Sequence, residues 1–181
     1  MSYLQRCSQA AALAVLLACG TIGSADADNT HLLSGGIGFF DFSSNRDNAA
    51  DFRLEYRSGW GLTLWPERVW LKPFLGVAAT SDGSVFGGGG LLFDVFVTDR
   101  IFVAAGAGAF GYSQGGSDLD LGHTLAFRTQ GEIGWRFRNR SRLSLAVSHY
   151  SNAGIGDDNP GVEIISVYYH VPLDWLGLRV R

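Results

Sequence analysis

Two cysteines are present, Cys7 and Cys19, and both precede the point at which an exported chain would be cut. No disulfide and no thiol chemistry are therefore expected in the mature protein. Charge is also scarce, with charged residues making up 17% of the chain against about 25% in typical soluble domains. There is no basic excess: 14 Lys and Arg face 17 Asp and Glu, a formal net charge of −3. That leaves no electrostatic footprint for nucleic acid. Hydrophobic residues reach 46%, yet no uncharged apolar run attains the roughly 18 residues a membrane-spanning helix needs. What abounds is aromatic side chains, at 13%, and glycine, whose 25 copies are about twice average usage. Such a composition suits a transmembrane β-barrel better than a soluble globule.

Residues 1–27 read as a secretory signal. Arg6 supplies the positive region, Ala10–Ala18 the apolar stretch, and Ala25-Asp26-Ala27 an A-x-A cleavage site. Cys19, after Leu16-Leu17-Ala18, is a rival lipid-anchor position, but Leu17 fits such a site badly. Either way the chain leaves the cytoplasm. Residues 28–181 then form one domain, with no internal repeat.

Beyond Asp28 the hydrophobic period is two rather than 3.6. Phe127, Thr129, Gly131, Ile133, Trp135 and Phe137 share one face, while Arg128, Gln130, Glu132 and Arg136 occupy the other. Phe52 to Arg57 repeats the pattern. Strands are expected at 32–42, 51–59, 68–79, 85–97, 100–112, 124–138, 141–152 and 163–173. Eight strands of about ten residues correspond to the smallest outer-membrane barrels, antiparallel, with an apolar exterior and a polar interior. Val97–Arg100 and Arg138–Ser141 read as short turns, whereas Ser43–Ala50, Ser113–Gly122 and Ala153–Val162 read as long polar loops. The link around Trp60–Glu67 is irregular, and Trp60, Trp65 and Trp70 are candidates for an interfacial aromatic girdle. Arg53, Glu55, Arg128, Glu132, Arg136 and His170 fall on the interior parity and read as a paired polar core rather than a channel.

Candidate chemistry lies near the end of the chain. His149 and Ser151 are two apart on a strand, so they share a face with Cα atoms about 6.6–7 Å apart. That is the nucleophile–base arrangement of acyl-transfer enzymes, and Glu163 is the candidate third member, orienting the imidazole. Folding the last two strands as a hairpin centred on Gly156 puts His149 opposite Glu163, Val147 opposite Ile165, Leu145 opposite Val167 and Leu143 opposite Tyr169. Directly opposed side chains have Cβ atoms about 4.5–5.5 Å apart, within reach of a hydrogen bond. The three polar residues continue the apolar parity of Leu143, Leu145 and Val147, so they face lipid. With both termini periplasmic, they lie at the outer-leaflet boundary, where an esterase meets lipopolysaccharide.

Other features have simpler readings. Asp157 and Asp158 offer hard oxygen ligands near His149, but as loop acids they open the turn before Asn159-Pro160-Gly161, and no metal is expected. Gly87–Gly90 lacks the Lys-Ser/Thr and the helix of a phosphate-binding loop; glycine there permits a bend or close packing in a narrow barrel. His31 and His123 read as ordinary polar residues.

The segment His149-Tyr150-Ser151-Asn152-Ala153-Gly154, followed by Gly161-Val162-Glu163 and Tyr168-Tyr169-His170-Val171-Pro172, resembles the PagL-type outer-membrane lipid A 3-O-deacylases. The resemblance implies an eight-stranded barrel with its site on the outer surface. It implies His149 as base, Ser151 as nucleophile and Glu163 as orienting acid, with Asn152 and the backbone near Gly154 contributing to an oxyanion hole. It also implies lipid A as substrate, with outer-membrane lipids around it and no cofactor; the oligomeric state is left open, a homodimer included. The motif covers about the last 30 residues. The chain departs from many such barrels in its extension 174–181, which ends in Arg181 rather than an aromatic residue. Alternatives are a non-enzymatic structural or adhesive barrel, in which His149 and Ser151 are incidental, and a phospholipid esterase.

Overall fold

The computed structural model describes residues 30–44 and 46–178; the signal, its cleavage site, Cys7, Cys19 and residues 179–181 of the extension lie outside them. Alternating side chains produce nine strands: β1 (Leu32–Phe40), β2 (Ala49–Arg57), β3 (Leu62–Trp65), β4 (Val69–Thr80), β5 (Val85–Phe96), β6 (Ile101–Ser113), β7 (Leu125–Arg136), β8 (Arg142–Ser151) and β9 (Val162–Pro172). Every neighbouring pair is antiparallel, in the order β2-β1-β9-β8-β7-β6-β5-β4, with β2 also paired to β4, so that pairing of the first and last strands, β1 and β9, closes the ring. The result is a closed eight-stranded barrel. Among the described residues no helix is long and apolar enough to cross a membrane.

β3 stands outside the ring. It pairs with β4 alone, with a register shift between Thr63 and Trp65, and turns the irregular 58–68 link into a small hairpin below the barrel. The connections at that end are otherwise the expected tight turns. At the opposite end, 41–48, 114–124 and 152–161 are long loops, but 81–84 is short, so length alternates less regularly than expected. β1 stops two residues early because Asp41 takes a left-handed backbone, φ 53°, which a continuing strand does not allow.

The two parities separate cleanly. Ile37, Leu54, Leu75, Val77, Leu145 and Val167 point outward and are exposed, a band unfavourable in water and required in lipid. Inside, charged side chains are buried and paired. Arg57 bridges Glu55 (3.2 Å) and Glu132 (2.8 Å), Arg128 meets Glu55 (2.5 Å), and Asp94 holds Lys72 (3.3 Å) and Arg142 (3.0 Å). His170 joins them, hydrogen-bonded to Ser34 (2.7 Å) and Ser144 (2.9 Å). Toward the loop end Phe40, Phe86, Phe110 and Tyr150 fill the lumen, with Leu119 and Leu121 folded in from the 114–124 loop. This is a packed polar and aromatic core, as its parity indicated. Inward Gly88 makes room for it: a Cβ there would lie 2.1 Å from the Ala109 carbonyl oxygen and 2.9 Å from the Phe110 ring.

The expected girdle needs one correction. Trp60 and Trp65 are exposed, but Trp70 is buried, its ring 5.9 Å from Phe96 and 4.8 Å from the Lys72 ammonium. Trp70 shares parity with Lys72 and Phe74, and parity outweighs the preference of tryptophan for an interface. After β9 a 3-10 turn, Leu173–Leu176, is tied by the Leu173 N–H to the His31 carbonyl (2.9 Å) and leaves Trp175 and Leu176 exposed.

Candidate active site

β8 and β9 carry their last and first residues, respectively, at the loop end of the barrel. The β8–β9 register pairs His149 with Glu163, Val147 with Ile165, Leu145 with Val167 and Leu143 with Tyr169. It is the register the hydrophobic pattern predicts, because a one-residue slip would send Leu143, Leu145 and Val147 into the charged lumen. The intervening parity, Tyr150 and Val162, is fully buried. His149, Ser151 and Glu163 therefore project outward, above the apolar side chains of Val147 and Ile165. On the other flank, β7 sets Thr129 beside His149 and Phe127 beside Ser151.

His149 Nδ1 lies 2.8 Å from Glu163 Oε1, with the side chains 43% and 35% exposed. That exposure leaves the pair reachable from outside. An ionised Glu163 can only accept, so the shared proton sits on Nδ1, and in the neutral imidazole Nε2 is then the acceptor. No hydrogen bond joins the Ser151 hydroxyl to that nitrogen; the two residues share a face, one strand repeat apart. Gly161 lies beside the same edge of the ring, with no room between for a side chain. A Cβ on Gly161 would meet His149 Cε1 at 2.8 Å and Nε2 at 3.5 Å, and its backbone is left-handed, φ 62°.

Asn152 and Gly154, the expected oxyanion contributors, lie at the start of the loop that follows Ser151. Asn152 follows Ser151 on the chain and so turns inward, where it is fully buried. Its Nδ2 donates to the carbonyls of Leu121 (2.9 Å) and Asp158 (2.6 Å), and its Oδ1 accepts the Gly154 N–H (2.8 Å). Both amide hydrogens and the Gly154 donor are thereby committed to holding the 152–161 loop against the 114–124 loop. In this arrangement these donors serve the packing of the two loops beside Ser151. Asp157 and Asp158 have exposed side chains in the same loop. His123 is an exposed loop residue that accepts the Leu125 N–H (2.9 Å), and His31 is a packing residue that meets the Tyr56 hydroxyl (2.6 Å).

Residues that sequence spacing did not single out complete the site. Glu163 Oε2 accepts a hydrogen bond from Ser43, and the Arg46 guanidinium donates to the Gly161 carbonyl at 2.8 Å. Both come from the 41–48 loop. That loop is folded on the Asp41 carboxylate. Burial opposes the Asp41 charge, but the Ser44 hydroxyl and the backbone N–H groups of Arg46 and Asp47 hold its carboxyl below the usual range. No periodicity links Ser43 to Glu163, more than a hundred residues away; only barrel closure through the β1–β9 pairing brings them together.

Comparisons with known proteins converge on one family. The profile described as lipid A 3-O-deacylase (PagL) matches residues 50–172. The chain is 27% identical over 163 residues to the lipid A deacylase PagL of Bordetella bronchiseptica, spanning 84% of this chain and 88% of that protein. With the Pseudomonas aeruginosa lipid A deacylase PagL it shares 37% identity over 82 residues, 43% of this chain and 47% of that protein. The crystal structure of the outer membrane enzyme PagL superposes with a TM-score of 0.65 at 25% identity, over 78% of this chain and 99% of that one. A de novo designed transmembrane β-barrel superposes at 0.51 and 14% identity, over 83% and 100% of the two chains, a likeness of fold alone.

Proposed function

The chain belongs to the lipid A 3-O-deacylase (PagL) family of outer-membrane β-barrels, and we propose that it is a serine esterase that removes the ester-linked 3-hydroxyacyl chain at the 3-position of lipid A. The observation that carries this reading is the His149–Glu163 pair at 2.8 Å, facing outward at the loop end with Ser151 on the same face. Polar groups set among lipid-facing apolar side chains cost free energy unless they are paired and used. If both chain ends are periplasmic, the loop end meets the outer leaflet, which is where lipid A resides.

In the reaction His149 Nε2 takes the Ser151 proton as Oγ attacks the acyl carbonyl. Glu163 keeps the proton on Nδ1 and stabilises the imidazolium that forms. The tetrahedral intermediate collapses as His149 returns the proton to the departing sugar oxygen. Water, activated by the same nitrogen, then cleaves the acyl–enzyme ester and releases the 3-hydroxy fatty acid. Asn152 acts at one remove, by fixing the loop that carries Gly161 onto the imidazole edge.

The test is mass spectrometry of lipid A incubated with the purified barrel in detergent. Loss of one 3-hydroxyacyl chain from the 3-position is expected. Release of an unhydroxylated fatty acid from phospholipid, with lipid A intact, would move the substrate; no release from either would remove the enzymatic reading.

Two glycines give a sharper check on the geometry. Gly154, φ 76°, has nothing within 4 Å of an added Cβ, whereas Gly161 would drive its Cβ into the His149 ring. Alanine at either position carries left-handed strain of about 1–2 kcal/mol. Gly161→Ala should in addition displace the base, and misplacement by about 1 Å can cost roughly a hundredfold in rate. Steady-state rates for the two folded variants should therefore differ by an order of magnitude or more; equal losses would refute the contact.

A further inference from the structure

Only one oxygen of Glu163 is used by His149. The other, Oε2, accepts the Ser43 hydroxyl. A carboxylate 35% exposed and anchored through one oxygen rotates easily about its terminal torsion, which is broad and roughly two-fold. At the boundary between lipid and water, hydroxyls of the substrate and water itself compete for the free oxygen. A donor from the protein on Oε2 fixes the carboxylate plane and keeps Oε1 turned toward Nδ1, without competing for the imidazole.

The loop that supplies this donor is built to hold it in place. Besides the Ser44 hydroxyl, Asp41 accepts the backbone N–H groups of Arg46 (2.6 Å) and Asp47 (3.2 Å), which closes the loop into a compact turn. The Phe42 N–H donates to the Glu163 carbonyl at 3.2 Å, so the loop engages Glu163 through backbone and side chain alike. Arg46, bonded to Ser44 Oγ at 2.9 Å, reaches the Gly161 carbonyl at 2.8 Å. One loop thus braces the acid directly and the base through Gly161. It precedes residues 50–172, which match the family profile, so the motif residues alone do not imply it.

We infer that Ser43 is a positioning residue of the hydrolytic site, orienting Glu163 and through it His149. This rests on the reading of Ser151, His149 and Glu163 as the catalytic group. Hydrogen bonds to charged groups contribute more than neutral ones, and an exposed one, as between Ser43 and Glu163, keeps only part of that value.

The experiment measures lipid A deacylation by purified wild type, Ser43→Ala, Ser43→Thr, Glu163→Ala and the Ser43→Ala/Glu163→Ala double variant, with Ser151→Ala as the inactive reference. Ser43→Ala should lower kcat about five- to tenfold with KM within about twofold. Ser43→Thr, which keeps the hydroxyl, should restore most of the rate. In the Glu163→Ala background, removing the Ser43 hydroxyl should change nothing further, because its acceptor is gone. A Ser43→Ala enzyme with wild-type kcat, a loss confined to KM, or an equal loss in the Glu163→Ala background would each overturn the inference. Should wild type and Ser151→Ala not differ, it is the catalytic reading that falls, and the inference with it. Heat-modifiable gel migration of each variant separates a loss of folding from a loss of rate.

Discussion

Ser151→Ala is expected to abolish lipid A deacylation, by at least about a thousandfold, while the barrel remains folded. Loss of the nucleophile in enzymes of this type removes nearly the whole chemical acceleration, and removing the base as well adds little because the residues act as a unit. The substitution deletes one half-buried hydroxyl at the end of β8, on the lipid-facing parity, and touches no interior ion pair. Stability should therefore change by no more than about 0.5 kcal/mol. Lipid A from outer membranes carrying wild type should lack one 3-hydroxyacyl chain, and lipid A from membranes carrying the variant should retain it. A variant keeping a tenth or more of wild-type activity would exclude Ser151 as nucleophile. His149→Ala should be as inactive, and the Ser151→Ala/His149→Ala pair no worse than either alone.

The second large effect concerns the interior. Asp94 faces Lys72 at 3.3 Å and Arg142 at 3.0 Å, and all three side chains are about 3% exposed. Asp94→Ala leaves two buried cations without this counter-ion, and breaking a buried pair in that way typically costs about 3–5 kcal/mol. Near neutral pH Asp94→Asn should cost less, since an amide oxygen still accepts hydrogen bonds from both cations. Denaturant titration of the refolded barrel, followed by tryptophan fluorescence, should show a clearly lower midpoint for Asp94→Ala with an unchanged slope. A shift equivalent to less than about 1 kcal/mol would mean that the cluster relaxes onto other partners or admits water. Asp94 sits near the turn end of β5, far from His149, so the folded fraction of this variant should keep its specific activity.

Much of this protein is legible along the chain because a strand has a period of two. The alternation of apolar and polar residues places eight strands, assigns Arg53, Glu55, Arg128 and Glu132 to the lumen, and sets the β8–β9 register. Once that register is set, His149 must oppose Glu163 and both must face outward with Ser151. The same parity already turns Trp70 inward, but the usual preference of tryptophan for a membrane interface argued the other way. Parity likewise turns Asn152, the residue after Ser151, inward, where it is fully buried. What no local pattern contains is the closing of the ring. Pairing of β1 with β9 brings the 41–48 loop over Glu163 and places Ser43 and Arg46 on residues more than a hundred positions away. The packing of the 114–124 loop against Asn152 follows instead from the β7–β8 pairing, which sets the start of β7 beside the end of β8. Periodicity is a property of neighbours in the chain, and it suffices for the strands and for a hairpin pair such as His149 and Glu163. The contacts that hold that pair in position come from loops set by barrel closure, and they exist only in the folded molecule.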